Sequence, residues 1–196
     1  MENTTVYEGF SEEIWPQSRD ALLAKMTEHA YHGVERVVLD VSSPGGEVKN
    51  AMILYKELCL TSFELITRNT SEIASMGIVM FLAGDRRLAS PEATFLLHPI
   101  TFDDTVVPMN VDDWRRVLGR LERNDPRSRL VEVYRRIRQL EKEEEDVQKI
   151  IKQRTDLTRP AIKALVRESK PIDAVEALAF GIVHEIIPAG RPYLDS

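Results

Sequence analysis

V-E-R-V-V-L-D-V-S-S-P-G-G-E-V (34–48) is the stretch on which the architecture turns. Its first half, 34–41, is a β-branched apolar run suited to a strand buried on both faces, as the strands of parallel sheets are. S-S-P-G-G (42–46) ends that strand in turn formers. A helix follows, with Val48, Met52, Tyr55 and Leu58 at three- and four-residue spacing. Upstream, Leu22, Leu23, Met26 and Ala30 share one face of a helix over 18–31, with Ser18 placed to cap it. Downstream, F-E-L-I-T-R (63–68) reads as a second strand. N-T-S-E-I (69–73) then leads into the apolar helix A-S-M-G-I-V-M-F-L-A-G (74–84), which stops at a glycine. R-R-L-A-S-P-E-A-T-F-L-L-H-P (86–99) reads as two short strands around the turn S-P-E. A helix over 174–181 and a strand over 182–187 close the pattern. Strands alternating with helices in this way indicate an α/β layered fold.

The region 100–158 is different in kind. V-D-D-W-R-R-V-L-G-R-L-E-R (111–123) is helical, N-D-P (124–126) breaks it, and a long helix runs from about 127 to 155. The apolar positions of the long helix are Leu130, Val133, Tyr134, Ile137, Leu140, Val147 and Ile151, a narrow stripe of the kind that packs against a partner. E-K-E-E-E-D (141–146) reads as a solvated face.

Bulk composition narrows the classes further. At 196 residues the chain fits a single domain over 1–196, with a protruding element at about 111–155. A net charge of −6 argues against a nucleic-acid groove or an anionic membrane as partner. There is no apolar run of membrane-spanning length and no basic-then-apolar start, so a soluble, cytoplasmic protein is expected. The single cysteine, Cys59, excludes an internal disulfide and reads as a small buried spacer.

Three segments carry residues suited to chemistry. The glycine pair in S-S-P-G-G either turns the chain for steric reasons or presents bare N–H groups to an anion. Ser75, between small residues at the start of a helix, is either an N-cap or a nucleophile favoured by the helix dipole. His98 ends the apolar strand T-F-L-L-H-P, as a structural histidine or as a general base at a cleft.

The ordered succession S-S-P-G-G-E-V, I-A-S-M-G-I and F-L-L-H-P resembles the proteolytic subunit of the Clp protease. The tail I-D-A-V-E-A-L-A-F-G-I-V is similar to the closing segment of that family. The resemblance covers about residues 5–188, apart from an apparent insertion near 102–125. It implies a crotonase-like α/β domain with a handle helix, here 127–155. It also implies a serine endopeptidase in which Ser75 attacks the scissile carbonyl and His98 takes its proton, with the N–H groups of Gly46 and Met76 as oxyanion hole. No cofactor or metal is implied. The partners would be peptide or unfolded-protein substrates and further copies of the chain, in rings stacked through their handles around a chamber.

Three departures from the family pattern are legible. The family's acid aligns with Ser169, and Glu168 next to it would serve only if the loop shifts by one residue. The chain begins about where the family's first strand begins, which leaves partnership with an ATPase unfoldase open. The insertion lies where the family shapes its substrate groove and ring contacts. The alternatives are a ring or scaffold subunit with weakened activity, a phage-type head maturation protease, and, at greater distance, a crotonase-type acyl-CoA enzyme.

Overall fold

The structure is a computed structural model that describes residues 4–101, 108–121 and 127–188. Five parallel strands form the main sheet: β1 (Thr5–Phe10), β2 (Arg36–Val41), β3 (Glu64–Asn69), β5 (Arg86–Ala89) and β8 (Glu185–Ile186), in the order β1-β2-β3-β5-β8. A smaller sheet combines β4 (Glu72–Ala74), β6 (Thr94–Leu96) and β7 (Pro171–Asp173) in the order β4-β6-β7. The helices are α1 (Pro16–Tyr31), α2 (Val48–Leu58), α3 (Met76–Phe81), α4 (Val111–Leu121), α5 (Arg127–Arg154), α6 (Arg159–Glu168) and α7 (Ala174–Ala179). The α/β layered architecture expected from the alternation of elements is present.

The apolar run of β2 shows how the sheet is buried. Val37, Leu39 and Val41 point into the main core, beside Leu22 and Met26 of α1 and Leu54 and Leu58 of α2. Val38 points the other way and meets Ile66 and Leu88. The ends of that second face are polar: Arg36 pairs with Glu64 and Asp40 with Arg68, each directly across the parallel register. Two-sided burial therefore holds in the middle of the strand and gives way to cross-strand ion pairs at its flanks.

Several boundaries differ from the expectations. α1 starts at Pro16, because Pro is favoured in the first helical turn. Ser18 sits three residues inside the cap, where its Oγ accepts from the Trp15 N–H at 2.9 Å and donates to the Glu13 carbonyl at 2.7 Å. The segment 72–74 is a strand, β4, paired with β6. β5 and β6 lie in different sheets, so S-P-E joins layers and is no hairpin turn. Cys59 is exposed at the end of α2, which corrects the buried-spacer reading: the buried face of that helix is Asn50, Ala51, Leu54 and Leu58.

The long helix is present, and its stripe has an occupant within the chain. Val133, Ile137 and Leu140 of α5 are buried against Val111 and Trp114 of α4. Arg136 also stacks over the Trp114 ring at 5.0 Å. Part of the stripe thus packs within the chain, while Tyr134, another of its positions, and Val131 remain exposed. Residues 102–107 of the apparent insertion, and the break at 124–126, lie outside the described residues.

Two arginines tie the base of α5 to the sheets. Arg87 is 4% exposed. Its guanidinium donates to the carbonyls of Ile182 at 2.8 Å, Arg154 at 2.7 Å and Gly181 at 3.0 Å. Burial and the neighbouring Arg154 lower its pKa to about 10. Arg154 in turn donates to the carbonyls of Leu82 at 2.8 Å and Gly84 at 2.6 Å, at the end of α3. These bonds close carbonyls that the chain ends of α3 and α5 cannot satisfy internally. Arg87→Met leaves three buried carbonyls without their donor, so it should cost about 3 kcal/mol or more. Urea unfolding followed by circular dichroism should show the midpoint falling with the slope unchanged.

Candidate functional site

The turn 42–46 is locked before any functional group is placed. Ser43 Oγ donates to the Glu12 carbonyl at 2.6 Å and accepts from the Gly45 N–H at 3.2 Å. The Ser43 carbonyl accepts from the Ala74 N–H at 2.9 Å, which draws the end of β4 against the turn. Gly45 (φ 103°) and Gly46 (φ 140°) take backbone conformations that L side chains rarely adopt. They are also crowded: a Cβ on Gly45 would stand 2.6 Å from Ser75 Cβ and 3.0 Å from the Met76 nitrogen. The glycine pair is thus required twice, by conformation and by the approach of the serine turn.

Ser75 has φ 53° and ψ −130°, a strained conformation for a residue with a side chain. It stands at the N-cap position of α3, yet its hydroxyl makes no capping hydrogen bond. Its N–H donates to the Leu96 carbonyl at 2.8 Å, fastening it to β6. A serine that only capped the helix would place its oxygen over the first-turn N–H groups. Ser75 instead turns its side chain toward the cleft.

The small sheet carries the histidine to the same place. β4 and β6 run parallel with Ala74 beside Leu96, and the two chains continue side by side from there toward Met76 and His98. Ser75, Met76 and His98 together line two adjoining cavities. The larger, about 590 Å³, also takes in Trp15, Pro44 and Gly46. The smaller runs under the serine between Leu97, Val147 and Ile151.

His98 Nδ1 lies 2.8 Å from the Pro99 carbonyl oxygen. A carbonyl only accepts, so Nδ1 carries the proton in this bond and Nε2 of the neutral ring is left with its lone pair. On the opposite wall, the first N–H of α3, that of Met76, has no acceptor within the helix. The bridge between Ile14 and Gly46 uses the Ile14 N–H (to Gly45 O, 2.6 Å) and the Glu47 N–H (to Ile14 O, 3.0 Å), so the Gly46 N–H takes no part in it. Ser75, Met76, His98 and Gly46 thus share the lining of one cleft.

The expected acid is not brought to this cleft. β7 runs antiparallel to β6 with Pro171 beside Leu96, which carries Ser169 toward His98. Ser169 is a left-handed helix cap whose Oγ donates to the Val166 carbonyl at 3.0 Å, and it has no carboxylate to offer. The Glu168 carboxylate is half-exposed, 3.9 Å from the Lys170 ammonium, and lines neither cavity.

One carboxylate that the sequence reading placed on a solvated face does reach the site. Glu144 of α5 is half-buried and lines the smaller cavity with Ser75 and His98. Burial, the largest cause, raises its pKa above the ordinary value; Asp112 and Glu141 add to the effect, while Arg115 and Lys163 oppose it. Its spacing was the available signal: 144 falls four residues after Leu140 and three before Val147, in line with the apolar stripe.

Three comparisons set the chain beside known proteins. The sequence matches the model of the Clp protease family over residues 11–104. It is 25% identical over 157 residues to an ATP-dependent Clp protease proteolytic subunit 2 from Pseudomonas aeruginosa, covering 79% of this chain and 67% of that protein. The structure superposes on a ClpP1 mutant from Listeria monocytogenes with a TM-score of 0.75 at 16% identity, covering 96% of this chain and 94% of the other.

The crowding at Gly45 yields a direct test. Gly45→Ala should cost about 3 kcal/mol or more, combining backbone strain with overlap against Ser75. Gly33→Ala, also at positive φ but with open space around it, should cost about 1 kcal/mol. Equal urea midpoints for the two variants would show that the turn does not bear on the serine.

Proposed function

We propose that this ClpP-like chain is a serine endopeptidase acting through Ser75 and His98, a reading supported by its similarity to the Clp protease family. The observation that carries the proposal is the strained, uncapped Ser75 in one cleft with an imidazole whose Nδ1 is held by a carbonyl. In this reading His98 Nε2 takes the Ser75 hydroxyl proton as Oγ attacks the scissile carbonyl. The N–H groups of Gly46 and Met76 receive the oxyanion of the tetrahedral intermediate. The imidazolium returns its proton to the departing amine, and a water activated by the same ring hydrolyses the acyl-enzyme.

The acid's usual work divides here. Orientation and choice of tautomer pass to the Pro99 carbonyl, which a main-chain group performs without a side chain. Stabilisation of the imidazolium by a full negative charge is lost, so a slower enzyme is expected than one with an ionised third member. The substrates are peptides or unfolded segments that enter a chamber formed by a ring of copies. The handle face with Val131 and Tyr134 exposed is the part of α5 left to meet a neighbouring ring.

A second reading, an inactive ring or scaffold subunit, is favoured by Ser169 standing where the family has its acid. A fluorophosphonate probe separates the two. The wild-type protein should be labelled and Ser75→Ala should not; absence of labelling in both gives the scaffold reading. His98→Ala should slow labelling by about three orders of magnitude while light scattering shows an unchanged oligomer. Full labelling of that variant would remove His98 from the base role.

A further inference from the structure

The segment ahead of α1 also borders the larger cavity. Ile14 bridges Gly46 in parallel, so the residues that follow them, Trp15 and Glu47, run side by side. Both line the cavity of about 590 Å³ together with Gly46, Ser75 and His98. Ile14 is fully buried, and the extended backbone of Trp15 (φ −114°, ψ 170°) turns the next side chain the opposite way. The Trp15 side chain is left 43% exposed. Helix capping does not account for a tryptophan here: it occupies the N-cap position of α1, where an indole has no acceptor to offer the first-turn N–H groups. Its backbone is nevertheless fixed, by the Ser18 hydroxyl on its N–H and by the Arg19 N–H on its carbonyl.

Glu47 is held from behind. Asn50, only 3% exposed, donates its amide N–H to one Glu47 carboxylate oxygen and accepts from the Arg19 guanidinium. The other carboxylate oxygen has no hydrogen-bond partner among the described residues. Glu13 and Glu143 line the same cavity, and Lys49, the one lysine or arginine of that lining, makes no ion pair with Glu47. We propose that Trp15 and Glu47 form a subsite for a cationic side chain of the substrate, arginine above all, beside the scissile bond. A guanidinium lies flat on an indole and bonds a carboxylate through its edge, so one planar cation uses both groups at once. The volume is that of pockets which enclose a ligand of several groups, enough for such a side chain and its adjoining backbone. An apolar side chain would cover the indole but strip water from a fixed carboxylate without replacing it, and is selected against. The inference rests on the peptidase reading for its place beside the reacting bond, but the binding preference is measurable without turnover.

The test uses the Ser75→Ala protein and N-acetylated, fluorescein-labelled peptides identical except for one central residue: arginine, citrulline (nearly the same shape without the charge) or norleucine. Acetylation removes the terminal ammonium as a competing cation. Fluorescence anisotropy should show the arginine peptide binding about tenfold tighter or more than either of the others. Trp15→Leu and Glu47→Gln should each shrink that preference to about twofold or less, and Trp15→Phe, which keeps a ring face, should retain part of it. Circular dichroism establishes that each variant is folded. Equal binding of the arginine and citrulline peptides, tightest binding of the norleucine peptide, no binding of any, or a preference unchanged by both Trp15→Leu and Glu47→Gln would overturn the inference. Fluorophosphonate labelling of Ser75 in the wild-type protein runs in parallel. An arginine preference without labelling would overturn the peptidase reading alone, and labelling without a preference would overturn the subsite alone.

Discussion

The structure depends on a contact with no room in it: the backbone of Gly45 lies against Cβ of Ser75, and the Ser43 carbonyl holds the N–H of Ala74. Everything proposed to be reactive is referred to that contact. It sets Gly46 and Met76 in the lining of one cleft and leaves Ser75 at a positive φ with no capping bond from its side chain. Strain of this kind persists only where the surroundings over-determine it. Here those surroundings are the bonds from Ser43, the pairing of β4 with β6, and the short apolar helix α3, buried along its whole length.

The small sheet does the remaining positioning. Three strands of three residues each would be too short to stand alone, but β4 packs on α3, and β6 and β7 on α7. Phe95 at the centre of β6 is fully buried and meets Phe81 of α3 at 5.3 Å between ring centroids. That packing sets the height of His98 relative to Ser75, and the residue after it supplies the carbonyl that selects the ring tautomer. The same ladder ends with Pro171 beside Leu96, two residues from Ser169 and two from His98, and Ser169 carries no carboxylate.

The long helix α5 serves two regions at once. Its N-terminal part is covered by α4 through Trp114, and its C-terminal part enters the main core with Ile150 and Ile151. Glu144 sits between these apolar stretches, at the level of the cleft. The arginine pair 87 and 154 fixes the helix where it leaves the sheets. The face of the helix that looks at Ser75 is therefore set by carbonyl contacts at its base and by a second helix along its length.

What the sequence settled by itself was the set of elements with strong local signals. Strands β2 and β3, helices α2 and α5, and the glycine turn are written in β-branched runs, helical periodicity and turn residues that act within a few positions. The three motifs that carry the resemblance are legible for the same reason. The short strands β4 and β7 were not: each is three residues long and its hydrogen bonds are completed by β6, which is distant in the chain. Only the tertiary structure decided that Val133, Ile137 and Leu140 of the α5 stripe are covered by α4, that Cys59 is exposed, and that Glu144 lines a cavity with the serine. These outcomes turn on which surface a side chain meets, a question of packing between distant segments that local spacing does not encode.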